Sequence, residues 1–283
     1  MSRFADWLAG GPLLTDGAWG TELQKRGLPP GESPDPWNLQ HPERVEAVAA
    51  AYCEAGSRII LTNTFRANAV SLPDADIGAI NRAGVEISHR AARGRARVIA
   101  SIGPSGKMLL AGEVTAERLA AAFGAQAQAL ADAGADGLLV ETMSDPEEAR
   151  IAVRAALVTG LPVVASFVFD TGRNKDRTMT GATPEQVAAA MTAEGVDALG
   201  ANCGSGIEGF AAICRRLRAA CDLPIWIKPN AGLPVWEGGQ IVYRMAPRQF
   251  AEHVPALLEA GASFIGGCCG TGPEFIQAMA ACV

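Results

Sequence analysis

Hydrophobic and polar positions along the chain repeat one unit eight times: a short apolar run, then a longer stretch with helical spacing. The runs cover residues 13–18, 58–64, 98–103, 137–143, 163–169, 198–203, 225–230 and 264–269. Four to six apolar residues without alternation suit strands covered on both faces, as in a parallel sheet. The stretches between them predict helices. Residues 42–56 carry apolar positions at helical spacing and stop at Gly56, and residues 115–134 open on a capping Thr115 and stop at Gly134. Ser144 is placed to cap a helix that starts at Pro146 with acids in its first turn. Thr183–Gln186 and Thr271–Glu274 have the spacing of a capping box. Further helices are expected over 76–94, 206–221, 247–261 and 273–282.

Eight strand–helix units in succession, joined by right-handed crossovers, close most simply into a single (β/α)8 barrel, an α/β fold. An open doubly wound sheet is the alternative, but no Gly-x-Gly-x-x-Gly turn follows the first run. No linker, charge block or low-complexity segment divides the chain, so residues 1–283 are expected to form one barrel domain.

Composition and charge narrow the function classes. A hydrophobic share of 49% is ample for a large core, and the net charge of −6 argues against an electrostatic grip on nucleic acid or an anionic membrane. The densest basic stretch, Arg90 to Arg97, reads as a solvated helix end. No apolar run approaches the ~18 residues of a membrane span, and residues 1–6 do not resemble a signal peptide. A soluble, cytoplasmic protein is expected. Seven cysteines, an odd number, then read as thiols rather than a disulfide framework.

In such barrels the chemistry sits at the C-terminal ends of the strands. Three cysteines gather there: Cys203 after the sixth run, and Cys268 and Cys269 after the eighth. Glycines flank all three and permit irregular turns. Three thiolates with one open position describe a reactive tetrahedral zinc site, with soft sulfur preferring Zn2+ to magnesium or calcium. Cys53, Cys214, Cys221 and Cys282 fall on expected helices and read as small buried hydrophobes. Asp16 and Glu141 bring carboxylates to the same rim, suited to a ligand ammonium or to capping local turns, and the N–H groups after Asp16, at Gly17 and Ala18, suit a ligand carboxylate. His41, His89 and His253 lack ligand spacing and read as structural.

The segments Asp16–Leu23, Leu61–Phe65, Gly200–Gly204, Pro229–Gly232 and Gly266–Thr271 resemble the homocysteine S-methyltransferase family, over essentially the whole chain. The resemblance implies zinc on Cys203, Cys268 and Cys269, homocysteine sulfur in the fourth position, and methyl transfer giving methionine. It implies that Asp16 and Glu141 hold the ammonium group, and that Gly17, Ala18, Asn202 and Asn230 join the substrate site. The expected donor is either a sulfonium such as S-methylmethionine or a methyl-corrinoid protein, with betaine or another thiol acceptor as the alternative. Trp19 and Trp37 are candidate walls of the donor pocket. Arg66 and Thr142 stand where the betaine-using branch has aromatics, and a cation at Arg66 would repel a quaternary ammonium. Two rival readings remain open: a lyase or aldolase working through a Schiff base on Lys228, and a non-catalytic thiol or zinc carrier.

Overall fold

The computed structural model describes residues 2–237 and 240–283. The parallel strands are β1 (Leu13–Leu14), β2 (Ile59–Leu61), β3 (Arg97–Ile102), β4 (Gly137–Met143), β5 (Val163–Phe167), β6 (Ala198–Cys203) and β7 (Ile225–Pro229). After an antiparallel hairpin of β8 (Val235–Glu237) and β9 (Gln240–Val242) comes the last of them, β10 (Ala262–Ile265). Their order is β1-β10-β7-β6-β5-β4-β3-β2, a (β/α)8 barrel with helices outside. The seam between β1 and β2 is stitched singly. Arg58 N–H donates to the Leu14 carbonyl at 2.8 Å and the Ser57 hydroxyl to the Thr15 carbonyl at 3.1 Å. Leu61 N–H donates to the Asp16 carboxylate at 2.7 Å. Beyond Leu14 the backbone still bonds toward β10, Thr15 N–H to the Ile265 carbonyl at 2.7 Å and Gly267 N–H to the Asp16 carbonyl at 3.0 Å, but toward β2 a side chain replaces the backbone ladder.

Strand alternation sorts the apolar residues into two cores. Ile99, Leu139, Val164, Ala198, Trp226 and Phe264 share an inner core with Ile59, Leu61 and Phe4. Their chain neighbours Ala100, Val140, Ala165, Leu199, Ile227 and Ile265 belong to the larger core shared with the helices. Phe4 comes from the N-terminal segment and is fully buried, edge-on to Phe264 at 5.3 Å and to Trp7 at 5.0 Å. Arg3 ties that segment to Asp197 at 2.8 Å. Two residues further along, the inward parity reaches Ser101, Glu141, Ser166 and Lys228, all buried. A polar layer thus lies directly on the apolar one.

The helices differ from expectation at their ends. Asp145, not Ser144, caps the helix Pro146–Leu157, accepting from Glu147 N–H. Thr183 closes the expected capping box with Gln186, whereas Gly272 is the cap of Pro273–Ala280, and the Thr271 hydroxyl donates instead to the Cys268 carbonyl at 2.6 Å. The stretch 247–261 breaks into Pro247–Ala251 and Val254–Glu259, since Pro255 has no N–H to continue the first helix and fits only the opening turn of the second. No helix among the described residues is long and apolar enough to cross a membrane.

Candidate metal centre

β6 and β10 do not touch, being separated by β7, yet their ends bring Cys203, Cys268 and Cys269 together. The three sulfurs lie within 4.8 Å of one another. Two backbone features allow it. Cys203 ends β6 at φ 66°, the left-handed region, which turns its side chain out of strand alternation and costs a non-glycine residue about 1–3 kcal/mol. Gly270 follows the other two at φ 83°, and a Cβ there would run into the Tyr243 ring. Asn230, at the end of β7, spans the gap between the strands. Its Nδ2 donates to the Gly204 carbonyl at 2.7 Å and to the Cys203 sulfur at 3.5 Å, and its Oδ1 accepts from Cys269 N–H at 2.9 Å.

The trio titrates as a unit. The neighbouring Cys268 and Cys269 thiols hold the Cys203 thiol well below its usual range. The Cys203 sulfur in turn pushes the Cys268 and Cys269 thiols up. Burial, and then the nearby Cys269 sulfur, push up the Tyr243 hydroxyl on the loop after β9. Three converging sulfurs within 4.8 Å are a donor set that a soft divalent cation would complete by displacing their remaining protons. Of the remaining cysteines, Cys53 and Cys214 are buried as expected, but Cys221 is half-buried and Cys282 is exposed, because each follows its helix rather than lying in it.

Beside the sulfurs lies the polar floor. Glu141 is fixed by the Ser101 hydroxyl at 2.5 Å, and burial pushes its carboxyl up to about 7. Asn202 accepts from the Ser166 hydroxyl at 2.6 Å and from Thr142 N–H at 2.9 Å, and donates to the Thr142 hydroxyl at 2.7 Å, beneath Cys268. Thr142, like Cys203, is left-handed, at φ 61°. Asp16 is fully buried and ion-paired with Lys228, while its second oxygen accepts from Leu61 N–H and from the Trp19 indole at 2.8 Å.

The other expected site residues are more dispersed. Ala18 N–H is used by the Thr271 carbonyl at 2.8 Å, while the Gly17 N–H has no acceptor among the described residues. Trp19 is held by its bond to Asp16 and leans on Tyr52. Trp37 is buried against the outer core, edge-on to His41 and under the Arg44 guanidinium. Arg66 is exposed on the loop after β2, with its N–H donating to Asp35. Sequence reasoning missed Ser101, Ser166 and Tyr243, and it took Lys228 for a candidate Schiff-base amine. The inward parity of β3, β5 and β7 was the available signal for all but Tyr243.

Comparison with known proteins places this geometry. A family model described as homocysteine S-methyltransferase matches residues 13–283. A methionine synthase of Mycobacterium tuberculosis is 33% identical over 96% of the chain, which spans only 24% of that protein's length. A homocysteine S-methyltransferase of Escherichia coli is 30% identical, with 95% of this chain and 94% of that one aligned. Among solved structures, the metallated form of the homocysteine methyltransferase MmuM from Escherichia coli superposes with a TM-score of 0.84 over 99% of both chains, at 26% identity.

Proposed function

This chain belongs to the homocysteine S-methyltransferase family, and on that footing we propose that it transfers a methyl group to the sulfur of homocysteine, giving methionine, with Cys203, Cys268 and Cys269 holding a zinc ion. The observation that carries the reading is the convergence of three sulfurs within 4.8 Å beside a buried polar floor. Soft thiolates in a set of three favour zinc with a fourth position left for a substrate. Bound there, zinc would keep the acceptor's sulfur deprotonated at neutral pH.

The chain's own groups bind and orient. The acceptor's ammonium lies toward the carboxylates of the floor, and its carboxylate toward the Gly17 N–H. Asn202 and Asn230 fix the cysteine-bearing strand ends, so the acceptor's sulfur meets the donor in one geometry. The acceptor's sulfur contributes an electron pair to the methyl carbon while the donor's leaving atom departs with the pair of the broken bond.

Between a sulfonium and a methyl-corrinoid protein as donor, one observation favours the protein. Of nine exposed large apolar side chains among the described residues, seven lie on segments that follow barrel strands: Leu39, Met108, Leu110, Met179, Leu233, Trp236 and Ile241. An apolar fringe on the face that carries the site suits docking of a macromolecular donor. The test is a donor panel with homocysteine and zinc-loaded protein: S-methylmethionine, betaine, methylcobalamin and a methylated corrinoid protein. Methionine is read by mass spectrometry. Turnover is expected with the corrinoid protein above all. Turnover with S-methylmethionine alone would reverse the choice of donor, and none with any donor would refute the activity.

A further inference from the structure

The basic stretch from Arg90 to Arg97 divides in two. Arg90 pairs with Glu46 at 2.7 Å, and Arg93 is the left-handed cap that ends the helix Ile77–Ala92. Arg95 and Arg97 turn elsewhere. With Arg58 they line a cleft of about 820 Å3 whose other walls include Trp7, Leu13 and Asp136. Leu13, Arg58 and Arg97 stand at or beside the starts of β1, β2 and β3, so the cleft opens on the barrel end opposite the metal centre. Hydrogen-bonded backbone fixes where the three guanidinium stems begin. Arg97 N–H donates to the Arg58 carbonyl at 2.9 Å, Arg58 N–H to the Leu14 carbonyl at 2.8 Å, and Arg95 N–H to the Ala92 carbonyl at 2.8 Å. The carboxylates of the cleft do not balance these cations. Asp136 accepts from Val98 N–H at 2.8 Å and meets Arg97 only at 3.4 Å, while Asp6, Arg58 and Arg95 have no side-chain partner among the described residues. Three guanidiniums thus face two carboxylates, a local positive excess in a chain whose net charge is −6.

We propose that this cleft is a second ligand site, which takes a diphosphate group between Arg58 and Arg95, with Arg97 as the third cation. Guanidinium forks match phosphate oxygens two at a time. One phosphate fills one fork, whereas two joined phosphates span two. The group read is the oxyanion and not a ring attached to it, because the Trp7 indole is already engaged. Phe4 packs edge-on against it at 5.0 Å, and the Arg97 guanidinium covers it at 5.3 Å. The site goes beyond methyl transfer and shares no residue with the metal centre.

The test is calorimetry on zinc-loaded protein at fixed ionic strength, with inorganic pyrophosphate, inorganic phosphate and ADP as probes. Wild type is expected to bind pyrophosphate one to one, and at least about tenfold more tightly than phosphate, the worth of one further charge-assisted contact. ADP is expected to bind within about tenfold of pyrophosphate, since its base finds no free aromatic face. Arg58→Gln/Arg95→Gln removes two exposed guanidiniums and is expected to weaken pyrophosphate at least about tenfold while leaving homocysteine binding unchanged. Arg90→Gln/Arg93→Gln makes the same change of charge in the same stretch but outside the cleft, and is expected to bind pyrophosphate within about twofold of wild type. No saturable binding to wild type overturns the proposal. So does an equal loss in both double variants, which is a general effect of charge, or undiminished heat in Arg58→Gln/Arg95→Gln, which is pyrophosphate drawing on the zinc. A preference for ADP above about tenfold overturns the oxyanion as the group read. None of these outcomes bears on methyl transfer, which the donor panel tests separately.

Discussion

Asn230 is the test of how far the metal centre depends on its supporting groups. Asn230→Ala removes three contacts at once: the acceptor for Cys269 N–H at 2.9 Å, the donor to the Gly204 carbonyl at 2.7 Å, and the donor to the Cys203 sulfur at 3.5 Å. Each bond is worth about 0.5–1.5 kcal/mol net, and an orphaned buried group costs about 1–3 kcal/mol. The Cys269 N–H lies under a half-buried turn, so water reaches it in part and the lower half of that range applies. The expected loss is then about 2–4 kcal/mol, divided between global stability and the preorganisation of the sulfurs. If about half falls on the site, about 1–2 kcal/mol, zinc affinity drops roughly 5- to 30-fold, which overlaps the usual effect of removing a group that orients metal ligands. Chelator competition followed with a zinc indicator measures the affinity, and urea denaturation of the metal-free protein measures the stability. Zinc affinity within about twofold of wild type, in a variant with native circular dichroism, would show that the sulfurs converge without Asn230 and refute the reasoning.

Four further outcomes are expected. Cys203→Ala and Cys268→Ala each abolish retention of about one zinc per chain through gel filtration, read by atomic absorption, and abolish methyl transfer with it, whereas Cys282→Ser, at an exposed position, changes neither. Phe4→Ala opens a cavity between Trp7 and Phe264 beneath the inner core and costs about 3–5 kcal/mol in a denaturant melt. Glu194 is held near pKa 2 by hydrogen bonds from Arg154 and Arg150. Its folded value lies below the unfolded one, so it contributes stability above about pH 4.5 that is lost as pH falls toward 2, and in Glu194→Gln the fall in Tm between pH 5 and 2 should be shallower than in wild type. Trp236→Ser, on the apolar fringe, is expected to raise KM for a protein-borne donor several-fold and leave homocysteine binding unchanged in calorimetry.

The barrel was legible in the sequence because its strands are apolar on both faces, and Gly137–Met143 and Ala198–Cys203 match their predicted runs end to end. The same runs hid the inward parity. Once Trp226 and Leu139 are known to face the barrel interior, Lys228 and Glu141 follow two residues on, and the floor can be read from strand alternation alone. Three things could not be read that way. Cys203 leaves the alternation at a positive φ, so its convergence with Cys268 and Cys269 was inferred from family resemblance and from position at a common rim rather than from period. The hairpin of β8 and β9 leads into Tyr243, and its strands are too short for a periodic signal. The pairing of Asp16 with Lys228 joins residues 212 positions apart, while Glu141 stands in the same layer as an equally plausible partner. Leu61 N–H already holds Asp16 in place where the β1–β2 seam closes, and no local pattern around residue 16 or 228 encodes that closure.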